Sequence, residues 1–167
     1  MTIGCGRRPL VMAFAICALV ALSNAGCAEV FPSDQILLNS FRTHRVEYER
    51  LRDMVIEDMH TQPMFTVSNL SSTLPKARRE VYRSLLSSIS PDLMVGVDYN
   101  GIVRFIFVVH GSSAIGPSSA KGIEYVPAGA RAGASMVRNL NNPERYGEGV
   151  YLRPIRSGWF VLFQKTD

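Results

Sequence analysis

Leu37, Phe41, Tyr48, Leu51 and Val55 recur three or four residues apart, with His44 on the same line. The spacing predicts one amphipathic helix from Ser33 to about Met59 with a single buried stripe. Ser33 and Asp34 suit a helix start, and Pro63 lies just beyond the end. A second stripe, Ala77, Val81, Leu85 and Ile89, is broadened by Leu74, Tyr82 and Leu86. It predicts a helix from about Leu74 to Ile89. Pro75 falls in its first turn, where a missing N–H is harmless, and Ser90-Pro91 stops it.

At Met94 the period changes from helical to alternating. Two apolar runs flank Asn100-Gly101, a dipeptide that accepts the positive φ angles of a tight turn, which predicts a β-hairpin. A two-residue turn would set Val97 opposite Arg104 and Gly96 opposite Phe105. Ile102 to Val109 is apolar on both faces apart from Arg104, the mark of a central strand. Val103, Phe105, Phe107 and Val109 are expected to face the helices. The opposite face, with Ile102, Arg104, Ile106 and Val108, is expected to present an apolar partner surface. A glycine- and serine-rich loop follows at 111–120. Lys121 to Val126 predicts a third strand, and 135–140 one helical turn. Val150 to Ile155 and Trp159 to Gln164 predict a closing hairpin around Ser157-Gly158, its first strand an edge or bulged at Pro154. The fold class is α+β: two N-terminal helices packed on one face of an antiparallel sheet of about five strands, a meander. This order, with Lys121 to Tyr125 in a middle strand and Trp159 to Phe163 in the last, resembles small bacterial proteins of helix-plus-meander type. That resemblance carries no activity.

The N-terminus inflates the 47% hydrophobic content of the 167 residues. Arg7 and Arg8 precede an apolar run from Pro9 to Leu22, too short for a comfortable membrane span, and the pattern reads as a secretory signal peptide. Ser23-Asn24-Ala25-Gly26-Cys27 then resembles the lipobox of bacterial lipoproteins. The resemblance covers residues 1–28 and implies cleavage before Cys27, a diacylglyceryl thioether on its sulfur and acylation of its amine. Ala25 and Gly26 match the small positions. Asn24 stands where an apolar residue is usual, which leaves ordinary cleavage after Ala25 or Ala28 open. Ala28 is not the aspartate associated with inner-membrane retention, so the resemblance points to the outer membrane, facing the periplasm. The alternative is a soluble periplasmic or secreted protein. The implied organisation is a signal peptide at 1–26, a lipidated tether at 27–32 and one domain at 33–167.

Cleavage also changes the chemistry on offer. Cys5 and Cys17 are lost, so Cys27 is the mature chain's one cysteine and no intramolecular disulfide forms. Loss of Arg7 and Arg8 takes the net charge from +4 to +2, with 16 basic against 14 acidic residues, which gives no basis for nucleic-acid binding. His44 and His60 are sixteen residues apart on one predicted helix, roughly 24 Å, too far to share a metal. Neither H-x₃-H nor C-x₂-C spacing occurs, so neither a metal nor another cofactor is expected. Gly111-Ser112-Ser113-Ala114-Ile115-Gly116 follows a strand, but its second glycine is one place late for a nucleophile elbow.

Two charges stand where apolar residues are expected: Asp58 on the first helix stripe and Arg104 in the central strand. A charge at such a position must be paired or hydrogen-bonded. Either a ligand or partner site is lined by Asp58, Arg104 or Glu124, or these are a structural pair, a loop-holding carboxylate or charges on a less buried sheet face. The leading expectation is an envelope domain, anchored by lipid, that acts by binding an envelope protein or a secreted protein it neutralises. The alternatives are a small enzyme with its site near the 111–120 loop and His110, and a structural envelope component.

Overall fold

The computed structural model describes residues 31–58, 64–66, 68–70, 72, 74–98, 100–111, 118–130 and 133–166. Ser33 opens the first helix, α1 (Asp34–Thr43), by accepting the Ile36 N–H on its hydroxyl. The predicted single helix is in fact two, because the chain leaves helical geometry at His44 (φ −112°, ψ 30°) and resumes as α2 (Arg45–Asp58). Thr43 and His44, both weak helix formers, sit at the break. The Ser40 hydroxyl and the Tyr48 phenol meet across it at 3.1 Å. α3 (Lys76–Ile89) follows the prediction closely, with Pro75 as its N-cap. Its buried line runs through Tyr82 and Leu86, and Ala77 is exposed.

The strands are β1 (Met64–Phe65), β2 (Met94–Val97), β3 (Val103–Gly111), β4 (Ser118–Tyr125), β5 (Ala134–Met136), β6 (Gly149–Arg156) and β7 (Trp159–Thr166). They form one sheet in the order β1-β2-β3-β4-β7-β6-β5. Four expectations are corrected here. The two-residue β1 lies between α2 and α3 in sequence, so the helices do not all precede the strands. Of the residues expected to make a helical turn, Ser135 and Met136 join Ala134 in β5 instead, which pairs parallel to β6. The sheet is therefore mixed, although every other pairing is antiparallel. It is also not a simple meander, because β7 sits between β4 and β6. β7 is apolar on both faces from Trp159 to Phe163, so it takes the interior place beside β4. β6 stays outside it, with the expected irregularity between Pro154 and Arg156.

The β2–β3 hairpin forms one residue out of the expected register. Val97 faces Val103, Gly96 faces Arg104 and Val95 faces Phe105. The Asp98 carboxylate causes this: its Oδ1 accepts from the N–H groups of Asn100 (2.8 Å) and Ile102 (3.0 Å). Gly101, at φ +72°, then closes a three-residue loop with its N–H on the Asp98 carbonyl. A second irregularity lies between Ile106 and Val108, opposite Gly122. A Cβ at Gly122 would stand 2.0 Å from the Phe105 carbonyl oxygen, so only glycine fits this close approach.

Alternation divides the sheet into two buried faces. One packs under the helices, where Trp159 touches Phe41 (ring centroids 4.9 Å apart), Tyr125 (5.2 Å) and Phe105 (5.8 Å). Val103 and Phe105 belong to it as expected; Phe107 is partly buried and Val109 is exposed. The other face holds Ile102, Ile106, Val126, Leu152, Phe160 and Leu162, with Ala130 and Ala134 packed against them. Ile102 and Ile106 are only 8% and 4% exposed, so they do not form the open apolar patch expected there.

Candidate functional site

Arg104 and Glu124 are cross-strand partners on the sheet face away from the helices. Arg104 Nε donates to Glu124 Oε1 at 3.0 Å, and the same guanidinium reaches to 4.0 Å from Asp98 Oδ2. Glu124 is 2% exposed, and its second oxygen, Oε2, has no hydrogen-bond partner among the described residues. Burial pushes its carboxyl above the usual range, and the Arg104 charge only partly opposes that. The pair borders a cavity of about 70 Å³ walled by Ile102, Val126, Val150 and the small residues Ala130, Gly133 and Ala134. The space takes the tip of one side chain. An oxygen with free lone pairs in a low-dielectric pocket favours one donor group there: an ammonium, a carboxamide N–H or a hydroxyl.

Asp58 takes no part in that pair. It lies at the end of α2, where its Oδ2 accepts from Arg78 Nε (2.9 Å) and from the Tyr82 hydroxyl (2.7 Å) of α3. Arg78 also reaches Glu57 at 2.7 Å. This cluster clasps the two helices together. Burial and the neighbouring Asp58 carboxylate both raise the Tyr82 phenol above its ordinary value. The expected trio thus divides into an Arg104–Glu124 pair and an Asp58 clasp. Cys27, His60 and 112–117 of the glycine- and serine-rich loop lie outside the described residues, as does the side chain of His110. The His110 backbone pairs with Ser119. Among the described residues no three His, Cys, Asp or Glu side chains are grouped as a metal would require. No helix among them is long and apolar enough to cross a membrane.

A further charged centre escaped the sequence reading. Asp34, fully buried in the first turn of α1, places Oδ1 3.0 Å from Lys121 Nζ and Oδ2 2.7 Å from Arg153 Nη1. The Leu140 N–H also donates to Oδ2, at 2.7 Å. Burial alone would raise the Asp34 carboxyl; the Leu140 amide, Arg153 and Lys121 outweigh it and hold the group below its usual range. Lys121, 1% exposed, also donates to the Leu140 carbonyl at 2.7 Å. Asp34 reads in the sequence as a helix start and nothing more. The sequence offers one signal for Lys121: alternation sets it on the same face as Ile123, where an unpaired ammonium would be costly.

Against protein-family models, curated proteins and solved structures, the chain finds no match.

Proposed function

We propose that the chain is a lipid-anchored protein of the cell envelope that acts by binding a partner, with the Glu124 cavity receiving one donor-bearing side chain of that partner. The observation that carries the binding reading is Glu124, a residue that lines a cavity of about 70 Å³ and has one buried oxygen, Oε2, without a hydrogen-bond partner among the described residues. The pair with Arg104 uses only the other oxygen, and a buried acceptor left unmet is costly. The anchor rests on the lipobox-like residues before Cys27 and on that cysteine being the mature chain's one thiol. Phe31, four residues on, already packs on Phe163 at 5.5 Å, so an anchored domain would have only a short leash. The outer membrane, facing the periplasm, is the proposed location.

The test has two arms. Intact mass is measured on the mature protein from membrane and soluble fractions of its host, beside a Cys27→Ala variant. An acylated membrane species that the variant loses supports the anchor. An unlipidated soluble species beginning at Gly26 or Glu29 overturns it. Crosslinking in the envelope is then compared between the parent and Glu124→Gln, with circular dichroism to confirm that both are folded. A crosslinked partner retained unchanged in Glu124→Gln overturns the pocket assignment.

A further inference from the structure

The chain between β5 and β6 is held from two sides at Leu140, whose N–H donates to Asp34 and whose carbonyl accepts from Lys121. Around this fixed point lies a polar cleft of about 400 Å³ lined by Arg138, Asn139, Asn141, Asn142, Arg145 and Tyr146. The hydrogen bonds decide what it offers. The Asp34 N–H can only donate, so the Asn141 atom it meets at 2.8 Å must be the side-chain oxygen. By the same logic the Asn141 N–H takes the Asn139 side-chain oxygen at 3.3 Å. The Tyr146 hydroxyl donates to the Asn139 carbonyl at 2.7 Å. The Asn139 and Asn141 side-chain oxygens are thus each engaged by a backbone N–H, which turns their NH₂ groups away from those bonds. The carboxamide NH₂ groups of Asn139 and Asn141 have no partner among the described residues, and neither do the exposed guanidinium groups of Arg138 and Arg145. Glu144 and Glu148, the acids of this segment, are exposed and pair with neither arginine.

We infer that this cleft binds a phosphoryl group. Two of the side-chain groups left over at its wall are cationic forks that match the oxygens of a phosphate in pairs, the Asn139 and Asn141 NH₂ groups add N–H donors, and the Asn142 carboxamide offers both a donor and an acceptor. A carboxylate has too few oxygens to engage four such side chains, whereas a phosphate satisfies them together. The cleft exceeds a lone phosphate, so it has room for the polyol, sugar or glycerol that carries one. A soluble phosphate monoester and a lipid with a terminal phosphomonoester, such as phosphatidic acid, share this chemistry. The site uses none of the Glu124 cavity's residues and does not depend on an anchor at Cys27.

The test is calorimetric titration of the purified mature protein with inorganic phosphate and with glycerol 1-phosphate at constant ionic strength, beside acetate. Saturable phosphate binding that acetate does not reproduce is expected. Arg138→Gln and Arg145→Gln each weaken it by roughly tenfold or more. Asn139→Asp keeps the acceptor for the Asn141 N–H but replaces an NH₂ donor by a carboxylate oxygen, and it abolishes binding. Both arginines and Asn139 are exposed, so these variants fold. Absence of saturation by about 10 mM, equal binding of acetate, or parent-like binding in all three variants overturns the inference. Displacement of glycerol 1-phosphate by vesicles containing phosphatidic acid assigns the site to a lipid phosphomonoester; vesicles without effect on phosphate binding assign it to a soluble ester.

Discussion

At the scale of single residues, the fold depends on carboxylates that are fully committed. Asp34 holds Lys121, Arg153 and the Leu140 amide at once; Asp34 and Lys121 lie out of water, and Arg153 is half-buried. Removing one charge from such a set leaves another buried without its counter-ion, which costs about 3–5 kcal/mol. Asp34→Asn is expected to lose that much stability in urea unfolding followed by Trp159 fluorescence. In the double variant with Lys121→Met, the loss is expected to fall well short of the sum of the single losses, because the two residues share one interaction. Beyond the alternation that turns Lys121 to the face of Ile123, none of this was legible in the sequence. Arg153 and Asp34 are 119 positions apart, and no local pattern joins them. Arg104 was legible because its charge interrupts an apolar strand. Its pairing with Glu124 is a matter of register, which the strands alone left open.

At the scale of elements, the hairpin shows a short polar side chain overruling a turn dipeptide. Asn100-Gly101 favours a two-residue turn, but Asp98 captures two N–H groups and extends the loop to three. Asp98→Ala is expected to destabilise the protein by about 1 kcal/mol, since one exposed and one half-buried N–H bond to a carboxylate are lost. Hydrogen exchange should show Ile102 losing protection first. The helices show the converse, with pattern overruled by geometry. The stripe from Leu37 to Val55 is continuous in sequence, yet the backbone breaks at His44 while both halves stay on the sheet. The β5 strand was misread as helical because its three residues are too few to show a period, and its pairing partner lies beyond a further loop.

At the scale of the molecule, opposed carboxyl shifts set the pH response. Asp34 titrates below its unfolded value, so the stability it adds is present above that value and lost as pH falls through its folded one. The Glu49 carboxyl, lowered chiefly by its hydrogen bond to Arg45, acts in the same sense. Glu124 titrates above its unfolded value, so its contribution is present below that value and lost as pH rises through the folded one. Stability is therefore expected to peak in the mildly acid range and to decline towards neutral pH and towards strong acid. A urea series across pH checks this. Glu124→Gln should flatten the decline towards neutral pH, and Asp34→Asn should reduce the loss in acid. A maximum at neutral pH, unchanged by Glu124→Gln, would count against a buried and half-satisfied Glu124.

The residue order by itself determined the helical segments and most of the extended ones, that β3 is central, that Pro154 interrupts β6, and the α+β class. These follow from local spacing, from residues that cap or break elements, and from the two apolar faces of the interior strands. Only the tertiary structure decided the strand order, the parallel β5, the slipped hairpin register and which charges meet. Each of those is a competition among distant partners for the same backbone and carboxylate groups. Its outcome turns on desolvation and pairing in three dimensions, which leave no periodic trace along the chain.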